Sequence, residues 1–210
     1  HSNCAVYYSK LSKSSETTLE QIYHELASEH EQEAIEKIVE FGRQLVSQGH
    51  LELLSLIESV NLERLQPSLM APMMQLQGDI LLMLGRFDQA TEIFDTASNA
   101  AKNAKLPVVY SEILGSQADI AMKQGQTDKA LSAHKEALEV QVELGDAKGA
   151  ARTYNNMGYL YRRKNDRTKA LEAYSEVEAI ISSDESLLGA QIILGRALLD
   201  LGEVERARKH

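Results

Sequence analysis

The chain is poor in the residues on which many protein classes depend. It has one Cys, no Trp, 3 Pro and only 5% aromatic side chains among 210 residues. A single Cys excludes a disulfide framework and any multi-cysteine zinc site. Aromatic and β-branched side chains are too few for a large sheet. No run of about 18 apolar residues occurs, so no segment reads as a helix long enough to cross a bilayer. A Gly-rich phosphate loop ending in Lys-Ser or Lys-Thr is missing, and so is a serine nucleophile elbow; nucleotide hydrolysis by this segment is therefore not expected. No signal-peptide pattern is seen, and the expected location is cytoplasmic. Ala, Leu, Glu, Gln and Lys recur instead, which is helix-forming stock, at an ordinary 43% hydrophobic and 25% charged residues.

The net charge is −9, and residues 1–60 hold 4 Lys/Arg against 10 Asp/Glu while residues 61–210 hold 18 against 21. An acidic field repels nucleic acid and anionic lipid, so neither is an expected partner, although a local basic patch is compatible with this balance. The chain begins at His1 rather than Met and ends at His210 soon after a helical pattern starts. Both ends read as cuts in a longer protein.

Internal repetition is the strongest signal. A small residue followed twelve positions later by Ala occurs at Gly78/Ala90, Ala118/Ala130, Gly158/Ala170 and Gly195/Ala207, so the register advances by 40, 40 and 37 residues. Seven positions after each small residue comes a turn residue: Gly85, Gly125, Asn165 and Gly202. Four after the Ala comes a ring, Phe94, His134 or Tyr174, and seven after it Ala97, Ala137 or Val177. Tyr154, Met157, Gly158 and Tyr161 share one face of a helix, and the missing side chain at Gly158 lets a partner helix approach. Such hairpins bury their apolar faces only by stacking on one another. Pro67 is expected to precede one helix, with Pro72 in or near its first turn, and Pro107 to open another; Gly145-Asp146 reads as a C-terminal glycine followed by an N-cap, and Ser183-Asp184 is a similar break.

The segments LQGDILLMLGRFDQATEIFDTA, NNMGYLYRRKNDRTKALEAYSEV and LGRALLDLGEVERA strongly resemble the tetratricopeptide repeat (TPR). The resemblance covers residues 67–210, about three full repeats and a truncated fourth. The 40-residue spacing is similar to the long-repeat subfamily of the kinesin light chain and Pins-type adaptors. The bulky first position of the pattern is Met74, Leu114, Tyr154 or Gln191, never Trp, and the second repeat has Ala118 for Gly and His134 for the larger ring. The resemblance implies an all-α, right-handed α-solenoid of about six stacked antiparallel hairpins.

Residues 1–66 form a second part, with helices expected at 3–12, 18–28, 31–48 and 50–60. Gly42 and Gly49 mimic the small and turn positions, but Leu54 stands where the Ala belongs. The stretch TLEQIYHELASEHEQEAIEKIVEFGRQLVSQGHLELLSLIESV resembles the helical linker that follows the core of STAND-type P-loop ATPases and leads into sensor TPRs. A divergent set of capping hairpins accounts for the same residues.

Catalytic readings are weak. HELASEH places His24 and His30 six residues apart, about 240° around a helix, whereas a zinc protease needs an i, i+4 pair. Cys4 lacks a convincing His partner. A helical metalloprotease is thus the minor alternative, and no enzyme activity, cofactor or metal is expected. Met70, Met73, Met74 and Met83 read either as an adaptable binding surface or as packing between repeats. The run Arg162, Arg163, Lys164, Arg167 and Lys169 reads either as a contact for an acidic partner or as a solvated turn.

One constellation points to binding. Arg152, Asn156, Tyr159 and Arg163 fall at i, i+4, i+7 and i+11, opposite the core-facing positions. The family places the first helix of each hairpin along a concave groove, so the resemblance implies that this stripe faces a protein or peptide ligand. Asn can donate to and accept from a peptide backbone, Arg can fork onto carboxylates, and Tyr offers a rigid face. Equivalent positions are Leu76, Asp79 and Met83, then Glu112, Ser116, Asp119 and Lys123, then Ile193, Arg196 and Asp200. Of these, Asp119, Lys123 and Arg196 complete the candidate site. The Lys/Asn set by which chaperone-binding TPRs clamp a C-terminal carboxylate is not at matching positions. The expected function is a non-catalytic protein-binding module, the sensor or regulatory part of a larger STAND-type ATPase, or alternatively a self-contained adaptor, scaffold or peptide receptor.

Overall fold

Turn chemistry divides the chain into helices. The computed structural model describes residues 1, 3, 14–28, 30–183 and 188–207. Its helices are α1 (Ser15–Leu26), α2 (Glu31–Ser47), α3 (Leu53–Ser59), α4 (Pro67–Met83), α5 (Phe87–Asn103), α6 (Pro107–Lys123), α7 (Thr127–Leu144), α8 (Ala147–Arg163), α9 (Arg167–Ser183), α10 (Leu188–Asp200) and α11 (Val204–Ala207), with a short 3-10 turn at Leu62–Arg64. Among the described residues there is no strand, and no helix is long and apolar enough to cross a membrane. The chain divides into two compact units, His1–Val109 and Tyr110–His210.

In the first unit α1 starts at a capping box. The Ser14 hydroxyl accepts from the Thr17 N–H, and the Thr17 hydroxyl accepts from the Ser14 N–H. The expected helix at 18–28 therefore begins three residues earlier. Its expected neighbour at 3–12 lies mostly outside the described residues, as does Cys4. Pro67 is the first residue of α4, where its missing N–H leaves no bond unmade, and Gln66 before it is extended at ψ 143°. Residue 66, the expected end of the N-terminal part, is thus the cap of α4.

Gly78 shows why its position is small. A Cβ there would lie 2.5–2.9 Å from three atoms of the Phe94 ring, which α5 contributes to the same hairpin and which is fully buried. Gly42 is filled differently: the atoms in the way are Leu76 of α4 and Leu53 of α3. Leu76 is accordingly 5% exposed, so it is a packing residue and not part of an open groove. Met73 and Met74 are likewise core, whereas Met83 is 58% exposed.

The second unit repeats the same device. A Cβ at Gly158 in α8 would meet Tyr174 of α9, with Cζ at 2.7 Å and Cδ1 at 2.8 Å. Tyr174 belongs to a core with Ala170, Val177, Ile181, Leu194, Leu198, Leu201 and Ala207. A second cluster joins Ala118 and Ala121 of α6, Ala130 and Leu131 of α7, and Met157 and Leu160 of α8.

Seven of the turns between helices close in one way. The residues at Gly49, Gly85, Lys105, Gly125, Gly145, Asn165 and Gly202 all have positive φ. The residue after each donates its N–H to a carbonyl five positions back: His50 to Leu45, Arg86 to Leu81, Leu106 to Ala101, Gln126 to Ala121, Asp146 to Gln141, Asp166 to Tyr161 and Glu203 to Leu198, at 2.8–3.0 Å. Asp146 also caps α8 by accepting from the Gly149 N–H at 2.9 Å. Lys105 holds the register position that Gly145 holds one repeat later, at φ +55°. A side chain in that conformation is strained, so Lys105→Gly should raise stability by about 0.5–1 kcal/mol, read as a higher urea midpoint at unchanged m-value.

A candidate ligand-binding face on the first helices of the hairpins

The first helices of successive hairpins in the second unit are α6, α8 and α10, and the candidate site residues lie on them. Arg152, Asn156, Tyr159 and Arg163 run along α8, Asp119 and Lys123 sit in the last two turns of α6, and Arg196 is on α10 with its side chain outside the described residues. Arg152, Arg163 and Lys123 are exposed, Asn156 and Asp119 half-buried, and Tyr159 is 38% exposed. On the other side of α8, Met157, Gly158 and Leu160 are buried, with Tyr154 and Tyr161 packed against the core. The helical period puts these two sets on different sides of α8.

Electrostatics ties α6 to α8. Burial pushes the Asp119 carboxyl above its ordinary range, and the positive charges of Arg152 and Lys123 act against that rise. Burial also pushes the imidazole of His134 on α7 down to about 4, with the Arg152 charge adding to the effect. His134 is 2% exposed, and its Nδ1 has no hydrogen-bond partner. It occupies the place of Phe94 and Tyr174 in the other repeats.

The basic run divides into paired and unpaired members. Arg162 pairs with Asp200, Lys164 with Asp128 at 2.5 Å, Arg167 with Glu203 at 2.6 Å and Lys169 with Asp166 at 3.0 Å. Three of these join residues 36 to 38 positions apart, so they link neighbouring hairpins. Arg163 has no carboxylate in contact among the described residues; it lies 6.0 Å from the Tyr159 ring centre, and Arg162 lies 5.4 Å from it. Arg152, Lys123, Asn156 and Asp119 also make no hydrogen bond or ion pair among the described residues. Every charged or amide group of the stripe is therefore open to a ligand, while its basic neighbours are engaged.

A further polar residue of α8 is not marked by the sequence pattern. Asn155 lies three residues after Arg152 and four before Tyr159, and its Oδ1 is buried without a partner. The i+3 spacing from Arg152 places it beside the stripe, but a single sequence does not reveal which of two adjacent Asn has its amide oxygen buried.

The two histidines of HELASEH are separated by a turn, since α1 ends at Leu26 and α2 begins at Glu31. His24 lies 3.9 Å from Glu20, and His30 lies 3.3 Å from Glu33. Among the described residues no three His, Cys, Asp or Glu side chains are grouped to hold a metal ion.

Comparison with known proteins gives two family matches and a set of similar structures. Models of the tetratricopeptide repeat match residues 110–183 and residues 188–210. No curated protein sequence matches the chain. BtubC (BKLC) of P. vanneervenii superposes with a TM-score of 0.64 at 20% identity, covering 99% of this chain and 87% of that one. A STAND protein of Pyrococcus horikoshii with a tetratricopeptide repeat sensor gives 0.73 at 12% identity, covering 93% of this chain but 29% of that protein. A Podosopora anserina putative kinesin light chain with nearly identical TPR-like repeats gives 0.59 at 15% identity, covering 92% and 89%. At these identities the likeness is one of fold, the all-α TPR solenoid, which is the fold class expected from the sequence. Residues 110–183 and 188–210 match tetratricopeptide repeat models, and this part of the chain is built of such repeats, each burying its apolar face on the next.

Proposed function

We propose that the protein is a non-catalytic module that captures a protein or peptide ligand on the exposed face of α6, α8 and α10. Arg152, Asn156, Tyr159 and Arg163 form the centre of the site, and Asp119, Lys123 and Arg196 flank it. The observation that carries this reading is the contrast along α8: Arg162 and Lys164 are ion-paired to neighbouring hairpins, while Arg152, Asn156 and Arg163 contact no carboxylate and donate no hydrogen bond among the described residues. Asn156 would serve the ligand backbone and the arginines its acidic side chains.

The wider role is that of a sensor or regulatory part of a STAND-type ATPase, with residues 1–66 as the linker or degenerate hairpins before the array. Likeness to the Pyrococcus horikoshii sensor supports it. A self-contained adaptor is the second reading, favoured by the 40-residue repeat spacing and by the likeness to the kinesin light chain repeats. A P-loop encoded upstream of His1 favours the first reading, and its absence the second.

Joint replacement of Arg152, Asn156, Tyr159 and Arg163 by Ala tests the face. Melting should change by the equivalent of no more than about 0.5 kcal/mol per site, because these groups support no core contact. Ligand capture from host lysate should fall to background, and the arginine part should weaken with added salt. Lys169→Ala, which removes a cation already paired with Asp166, should leave capture intact. A quadruple variant that captures the same ligand as well as wild type would refute the site.

A further inference from the structure

The charge balance of this face says more about its ligand, on the premise that the face is the ligand site. Lys123, Arg152 and Arg163 are cations with no carboxylate in contact among the described residues, on a chain whose net charge is −9. Asp119 stands in the field of two of them. Its carboxylate is half-buried and accepts no hydrogen bond among the described residues. A carboxylate so placed does not contribute a bond to the fold, and burial makes its charged form costly. Its effect is to cancel one unit of positive charge where an incoming acid would sit. The surrounding acidic protein disfavours a nucleic acid, whose charge is dense along its whole length. A short peptide with spaced carboxylates meets the three cations without facing the rest of the surface.

We propose that the α6–α8 face takes an acidic, extended peptide segment and that Asp119 is its specificity-determining residue, opposing the ligand's carboxylates in the field of Arg152 and Lys123. Loss of this one carboxylate strengthens binding, whereas loss of Arg152 or Arg163 weakens it. Asn is the same size and keeps the local packing, so Asp119→Asn removes the charge alone.

Fluorescence anisotropy on the full chain tests this with three labelled probes: a decapeptide of alternating Glu and Ser, one of alternating Lys and Ser, and a short oligothymidylate. The wild type should bind the Glu peptide in preference to both others. Asp119→Asn should bind it about threefold to tenfold more tightly at about 50 mM salt, and that ratio should shrink at about 300 mM. As pH falls toward the raised range of Asp119, the ratio should approach one, because the wild-type carboxylate takes up its proton there. Arg152→Ala and Arg163→Ala should each weaken binding, with melting curves confirming intact folds. An Asp119→Asn variant that binds no more tightly than wild type at any pH overturns the role of Asp119. Equal or tighter binding of the Lys peptide or the oligonucleotide overturns the acidic-peptide assignment. Either outcome leaves the face itself to stand or fall with the quadruple variant, which a neutral ligand would also satisfy.

Discussion

Gly158→Leu is expected to lower the melting temperature by roughly 6–12 °C, the equivalent of about 3 kcal/mol in a chain of this size. The cause is a specific collision. A Cβ at this position already falls within 2.8 Å of two atoms of the Tyr174 ring and nearer still to a third. Tyr174 is 1% exposed and packed among Ala170, Val177 and Leu198, so the ring has nowhere to go. The helices must separate, and α9 then loses contact with both α8 and α10. Ala170→Leu should act in the same direction, since Ala170 is fully buried in that core. Tyr159→Leu is the control: it is one residue along the helix but on the exposed face, and it should leave the midpoint unchanged. The second repeat suggests a rescue, because there Ala118 stands in place of Gly and the smaller ring of His134 in place of Tyr. Gly158→Ala should therefore be partly restored by Tyr174→His. A midpoint unaffected by Gly158→Leu would show that α8 and α9 do not meet in this register.

The second large effect is a loss of stability in acid centred on His134. The ordinary imidazole value of 6.5 is pushed down to about 4 in the folded chain by burial and, secondarily, by Arg152. Between those two values the unfolded chain binds a proton at this residue and the folded chain does not. The stabilisation is therefore complete above about pH 6.5 and is lost as pH falls toward 4. The shift corresponds to about 3 kcal/mol. Glu33, Glu52 and Asp166 have carboxyls lowered from ordinary values of 4.5, 4.5 and 3.8, so their losses fall at more acid pH. Asp119, raised by burial, acts in the opposite sense. The double change Ala118→Gly with His134→Tyr copies the Gly158–Tyr174 pair into the second repeat. Its unfolding free energy should be nearly flat from pH 6.5 to about 4.5, while that of wild type falls. The same fall in both proteins would place its source elsewhere.

How much of this was legible in the sequence depends on whether a feature is local. Turn positions were legible: Gly85, Gly125, Asn165 and Gly202 were expected as turn residues from their fixed offset, and all four have positive φ. Lys105 was not, because a Lys with positive φ carries no local mark; its conformation follows from the two helices that the turn must join. The close approach at Gly158 and the burial of Ala170 and Tyr174 followed from a small residue, an Ala and a ring recurring at fixed offsets. Leu76 was misread as groove-lining, since the period places it on the right face but does not reveal that Gly42 leaves room for it across the hairpin boundary.

The site divides along the same line. The sequence by itself determined that Arg152, Asn156, Tyr159 and Arg163 share one side of a helix, because a 3.6-residue period is a property of the backbone alone. Only the tertiary structure decided which cations remain uncommitted. Arg162 and Arg163 are adjacent and chemically alike, yet Asp200 reaches the first across the stack and no described carboxylate reaches the second. Likewise, nothing in the order of residues brings Asp119 under the charges of Arg152 and Lys123. That proximity arises when α6 and α8 stack as successive first helices, and Coulomb interactions depend on the distances between charges in the folded chain, which the packing of the hairpins sets.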